Sequence, residues 1–125
     1  MRRPGLLLGA AFLFLAAGRI LSRRLTRIAV SGHSMTPGLL AGDWLVVDRG
    51  PRSWSQGDIV VAHDPRAPAR LIVKRVGEVG PEHELVLVSD HPAHANDRIG
   101  PVPPAEVVGR VVVRYWPPFR AGFVD

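Results

Sequence analysis

No cysteine occurs in the 125 residues, so disulfides and thiolate metal sites are excluded. Lysine is almost as scarce: fifteen of the sixteen basic residues are arginine, and Lys74 is the single lysine. No internal repeat is present, and no long helical pattern follows the first stretch of the chain, which leaves room for one small domain behind a short N-terminal segment. An excess of charge along the body is also lacking. The net charge is +5, but Arg2, Arg3, Arg19, Arg23, Arg24 and Arg27 supply six positive charges before residue 28, leaving ten basic against eleven acidic residues in the remainder. A basic total placed this way speaks for membrane flanks and gives no support to a nucleic-acid surface.

What is present begins with an apolar run from Pro4 to Gly18, extended past Arg19 by Ile20 and Leu21. It is shorter than the roughly 20 residues a spanning helix prefers, although arginines at each end can snorkel. Its length also fits the apolar part of a cleavable signal peptide. Arg19, Arg23, Arg24 and Arg27 stand where such cleavage needs small residues, which favours an uncleaved anchor. Two arginines precede the run and four follow it, so the flanking charge places the body on the cytoplasmic face. Ser22 to Ile28 is expected to continue as a helical stalk. Residues 1–28 are thus expected to be anchor and basic stalk, and residues 29–125 a β-rich domain.

From Trp44 onward, short apolar runs alternate with Pro/Gly punctuation. Strands are expected at Trp44 to Asp48, Asp58 to His63, Arg70 to Val76, Glu84 to Ser89 and Val107 to Tyr115, with turns at Gly50-Pro51, Gln56-Gly57, Pro65 with Pro68, Gly80-Pro81 and Pro101 through Pro104. That spacing predicts a mainly β fold, a small barrel or sandwich.

Two stretches carry chemistry. In Ser31-Gly32-His33-Ser34-Met35-Thr36-Pro37, Gly32 permits close backbone approach and Pro37 biases Thr36 toward extended geometry, so Ser34 is expected on a stiff, exposed bend. A serine hydroxyl needs a base. Arginine stays protonated, whereas lysine loses its proton readily when buried, so Lys74 is the candidate. Strand alternation puts Ile72, Lys74 and Val76 on one face, where the ammonium is poorly solvated and its pKa falls. His33, beside the serine, is read as shaping the site. His91 and His94, flanked by Asp90 and Asp97, have the spacing of two ligands on a helical turn, but Pro92 and the lack of cysteine make a poor zinc cage, and no metal or cofactor is expected.

Ser34, Met35, Pro37, Leu39, Gly42 and Asp43, followed by Lys74, Arg75 and Val76, resemble the serine and lysine boxes of the type I signal peptidases, membrane-anchored serine proteases with a serine/lysine dyad. A third box is matched in part by Ser89, Asp90, His91, Asp97, Arg98 and Gly100. Within that family the chain is most similar to the short branch of nickel-type superoxide dismutase maturation proteases, through His33, Gly42-Asp43-Trp44-Leu45-Val46-Val47 and Arg114-Tyr115-Trp116-Pro117-Pro118.

The resemblance implies a signal-peptidase-like β domain, Ser34 as nucleophile, Lys74 as general base, and an oxyanion site built from the Ser34 backbone with Gly32, His33 and Met35 around it. It implies structural support from Asp90, Asp97 and Arg98, the last two pairing to brace their loop. The partners implied are a polypeptide substrate and the lipid bilayer, and the reaction is removal of an N-terminal propeptide from a nickel superoxide dismutase precursor. A general signal peptidase acting on secretory preproteins and a non-catalytic, membrane-tethered polypeptide-binding module are the alternatives. The chain departs from the family pattern at four positions. Gly32 replaces a serine that supplies an oxyanion donor in some members, Gly38 replaces a hydroxyl residue, Ser89 replaces a glycine, and Ala95 replaces the serine that orients the lysine.

Overall fold

The computed structural model describes residues 24–50 and 53–124, and these form one antiparallel sheet of eight strands. In chain order they are β1 (Leu25–Ala29), β2 (Trp44–Asp48), β3 (Ile59–Asp64), β4 (Ala67–Val79), β5 (Leu85–Val88), β6 (Arg98–Val102), β7 (Val107–Trp116) and β8 (Gly122–Phe123). Their order across the sheet is β1-β2-β7-β3-β4-β5-β6, with β8 added to β7. The mainly β expectation holds, and the path has two ends, β1 and β6, so the sheet is open.

The centre of the sheet follows from one apolar run. Ile59-Val60-Val61-Ala62 has no polar member, and a strand deals successive side chains to opposite faces. Val60 and Ala62 join Trp54, Ile72, Val76, Leu85, Leu87, Ile99, Val102 and Val107 in one core. Ile59 and Val61 join Val30, Met35, Leu39, Leu45, Val47 and Val111 in a second. Each half of the sheet therefore encloses its own core, and β3 belongs to both. β7 crosses between them, with Val107 in the first core and Val111 in the second.

Three expectations need correction. The expected helical stalk is a strand from Leu25 on: β1 pairs along its whole length with β2, from Leu25 opposite Asp48 to Ala29 opposite Trp44. Thr26 and Ile28 are β-branched, and a paired edge outweighs the weak helical bias of so short a stretch. Arg24, just before this strand, is tied to the sheet. Its Nε and Nη2 donate to the Asp48 carboxylate at 2.7 and 2.9 Å, which holds that carboxyl below the usual range. Turns are expected at Pro68 and Pro101, yet Pro68 lies in β4, where it has no ladder partner, and Arg98–Val102 forms β6, an edge strand where a missing N–H costs little. The apolar run Pro4 to Gly18 lies outside the described residues. Among the described residues no helix is long and apolar enough to cross a membrane.

Where β7 passes β2, the chain requires glycine. A Cβ at Gly109 would overlap the Asp48 carbonyl and stand 2.9 Å from Val47 Cγ1. Gly109→Ala is expected to destabilise the fold by about 1–3 kcal/mol, the usual cost of overpacking, read as a lowered midpoint in urea unfolding.

Candidate active site

The loop between β1 and β2 carries Ser34, and its base is closed by backbone pairing. Val30 N–H donates to the Asp43 carbonyl and Gly42 N–H to the Val30 carbonyl, both at 2.8 Å. Gly42 takes φ +92°, a left-handed value that favours glycine. Inside the loop, Thr36 N–H donates to the His33 carbonyl at 3.1 Å and Leu39 N–H to the Met35 carbonyl at 2.9 Å. Met35 and Leu39 are buried in the second core, so the turn that displays Ser34 is pinned from below by two apolar side chains. The buried Asp43 carboxylate accepts from Leu40 N–H at 2.9 Å and faces Arg114 and Arg120 at 3.4 and 3.5 Å. Both arginines also donate to the Gly38 carbonyl. The loop is thereby strapped to the C-terminal end of β7.

Lys74 sits in β4 with Ile72 and Val76, and both of these neighbours are buried. The strand alternation read from the sequence is therefore the alternation observed. The amine itself is half-buried and donates to Ser89 Oγ at 2.8 Å. The register explains this partner. Val76 lies opposite Leu87 and Arg75 opposite Val88, where the ladder ends, and one further step of the same register sets Lys74 beside Ser89. Ser89 is only 8% exposed and continues the buried face of Leu85 and Leu87. One step along, Arg75 Nε and Nη2 clasp the Asp90 carboxylate at 2.8 and 2.7 Å, and Arg75 Nη1 donates to the Gly57 carbonyl at 2.8 Å. Asp90 and Arg75 thus clasp each other at the strand end that bears Ser89.

These elements meet at a cleft of about 660 Å³. It is lined by Ser31 to Met35 from the serine loop, by Arg70 to Lys74 from β4, by Ser89, and by His94 and Asn96 to Ile99. The serine loop and the third box touch directly, since His91 N–H donates to the Ser34 carbonyl at 2.9 Å. Ser34 is half-buried in the wall, and His33 is exposed beside it.

Burial holds the Lys74 amine below the ordinary lysine pKa of 10.5. Repulsion from Arg66 and Arg70 pushes the same way, while Asp97 and Asp64 pull against it. Arg66 is in turn positioned by Asp64, whose buried carboxylate accepts its Nε and Nη2 at 3.0 and 3.1 Å and its backbone N–H at 2.9 Å. Disfavouring the ammonium makes an amine readier to accept a proton, which is the chemistry that activates an oxygen nucleophile.

Several sequence-based expectations take a different form here. Gly32 is exposed, a Cβ would meet nothing within 4 Å, and it lacks a left-handed φ, so close approach is not its role. Asp97 and Arg98 do not pair with each other. Adjacent residues entering a strand diverge, and Asp97 takes His94 Nδ1 at 3.1 Å while Arg98 Nη2 reaches Glu78 on β4 at 2.6 Å. His91 Nδ1 accepts from Ala93 N–H at 3.0 Å, so His91 and His94 are engaged locally. Ala95 caps the short 3-10 turn Pro92–His94 and is exposed; the hydroxyl that meets Lys74 comes from Ser89. Sequence reasoning missed Ser89 as the lysine's partner, and it missed Arg66 and Arg70 as cleft residues.

A family model described as Peptidase S24-like matches residues 16–112, a span that includes Ser34, Lys74 and Ser89. The chain belongs to the Peptidase S24-like family. No curated protein matches it. Membership of the Peptidase S24-like family makes this a chain of serine peptidase type with a polypeptide as its substrate, on a fold that is mainly β.

The environment of Lys74 gives a pH prediction. Arg66→Ala removes a cation that disfavours the ammonium and leaves Asp64 to favour it, so both changes raise the Lys74 pKa. The pH midpoint of Lys74 acylation by an amine-selective reagent, mapped by mass spectrometry, is expected below 10.5 in the wild type and higher in Arg66→Ala.

Proposed function

We propose that this peptidase is a membrane-anchored serine endopeptidase in which Ser34 is the nucleophile and Lys74 the general base. Its reaction removes an N-terminal propeptide, and its substrate is the precursor of a nickel superoxide dismutase. The observation that carries the dyad is the state of the chain's single lysine, half-buried, depressed in pKa, hydrogen-bonded to Ser89 and lining one cleft with Ser34.

In this mechanism the Ser34 hydroxyl attacks the scissile carbonyl carbon as its proton passes to neutral Lys74. The tetrahedral oxyanion is met by the Ser34 backbone N–H. Lys74 then gives the proton to the leaving amine as the C–N bond breaks, which leaves an ester on Ser34. Water attacks that ester with Lys74 again taking the proton, and the acid product leaves as Ser34 is restored. Ser89 is a positioning residue: its buried hydroxyl takes the place of the family serine aligned with Ala95 and holds the amine toward the cleft.

Substrate access is supported by two open strand edges. β1 ends the sheet, and β4 pairs with β5 only from Arg75 onward, so residues 71–74 of β4 pair with β3 alone. Both edges border the cleft, and an extended polypeptide can add its backbone hydrogen bonds to either. Membrane anchorage is proposed from the apolar run before Arg19, and a cytoplasmic body from the arginines that flank it. That side suits a precursor made and matured in the cytoplasm.

Incubation of a nickel superoxide dismutase precursor with the membrane-incorporated protein, followed by sequencing of the new N-terminus, tests the reading. Wild type is expected to cut once, and Ser34→Ala and Lys74→Ala to lose at least about a thousandfold in rate. Cleavage of a secretory preprotein instead would move the assignment to a general signal peptidase, and silence on both would leave a polypeptide-binding module. Ser89→Ala is expected to lower kcat by about tenfold or more with little change in KM and to shift the acid limb of the pH profile. Ser89→Thr, which keeps the hydroxyl, is expected to restore much of both.

A further inference from the structure

Arg66, Arg70 and Arg98 line the cleft beside Lys74, and Asp97 is its lining carboxylate. Arg66 is engaged by Asp64 and Arg98 by Glu78. Arg70 makes no ion pair among the described residues, and it is exposed. It lies in β4 four residues before Lys74, about 13 Å away at the usual rise per residue, and lines the same cleft. A cation left open on the wall of a peptide-sized cleft is a recognition group awaiting an anion. The guanidinium fork suits a carboxylate, which it can bind through two parallel hydrogen bonds.

We infer that the cleft selects polypeptides with an acidic side chain four residues from the bond that Ser34 attacks, and that Arg70 is the residue that reads it. The inference deepens the peptidase reading of the same cleft and rests on it. A substrate strand lying along residues 70–74 of β4 keeps step with it, so a side chain four positions from the reacting residue, on the same face, arrives beside Arg70. Arg66 and Arg98 are each paired with a carboxylate, so the preference for an acidic segment rests on Arg70 itself. Because Arg70 is exposed, the preference is moderate and weakens with salt.

Binding tests this without turnover. Fluorescent alanine-rich peptides carrying Glu, Gln or Lys four residues to either side of a central alanine pair are titrated with the full-length Ser34→Ala protein, and anisotropy is followed at low and high salt. The Glu peptide of one orientation is expected to bind about fivefold tighter than its Gln twin at low salt, with the gap closing at high salt. Arg70→Gln in the same background is expected to bring the Glu/Gln ratio to about one, and Arg70→Glu to favour the Lys peptide. Equal binding of Glu and Gln peptides, or a Glu preference that survives Arg70→Gln, overturns the inference while precursor cleavage by the wild type stands on its own. Binding of none of the peptides overturns it together with the assignment of this cleft to substrate.

Discussion

The site depends on keeping one amine partly out of water. Lys74 is placed on a strand face whose other members are buried, and the strand cannot turn it outward without exposing Ile72 and Val76. Desolvation of the ammonium is therefore built into the register of β4 and β5. The cost is moderated by Ser89, which accepts a hydrogen bond from the amine in either protonation state and so fixes its direction without demanding its charge. A carboxylate in place of Ser89 would hold the amine as well but would stabilise the ammonium and oppose the proton acceptance proposed for Lys74. Arg66 and Arg70 add repulsion on the same side, and Asp64 keeps Arg66 in place.

The serine side of the cleft is held by different means. A loop from Val30 to Asp43 would be mobile if left to its own turns, but Met35 and Leu39 are sunk in the core beneath it, and Asp43 with Arg114 and Arg120 straps it from the side. The hydrogen bond from His91 N–H to the Ser34 carbonyl then links this loop to the segment that carries Ser89 and Asp90. Ser34 and Lys74 come from distant parts of the chain, and their relative position rests on β3 and β7, the strands that contribute to both cores.

The strands with clean alternation were legible from the sequence because each buries one face and punctuates itself with Pro or Gly; Trp44 to Asp48 is recovered residue for residue. β1 was not, because Leu25 to Ala29 follows an apolar run and its pairing with β2 is a tertiary fact. The lysine's importance was legible from its isolation among arginines. Its partner was legible in principle: Ile72/Lys74/Val76 and Leu85/Leu87/Ser89 are two apolar alternations, each with a single polar member, and antiparallel pairing sets those members opposite each other. Family boxes drew attention to Ala95 and away from that simpler pattern. Arg66 and Arg70 were hidden because a cleft wall built from a long strand leaves no periodic mark on its charged residues.

Having one lysine makes the central claim directly measurable. With lysine labelled at its ε-carbon, the full-length protein gives a single side-chain resonance, and its chemical shift can be followed across pH. The structure requires a midpoint below 10.5 that depends on folding and rises when Arg66 is removed. A midpoint at or above 10.5 in the folded protein would mean that Lys74 stays charged through the neutral range, and the assignment of Lys74 as the base for Ser34 would fail.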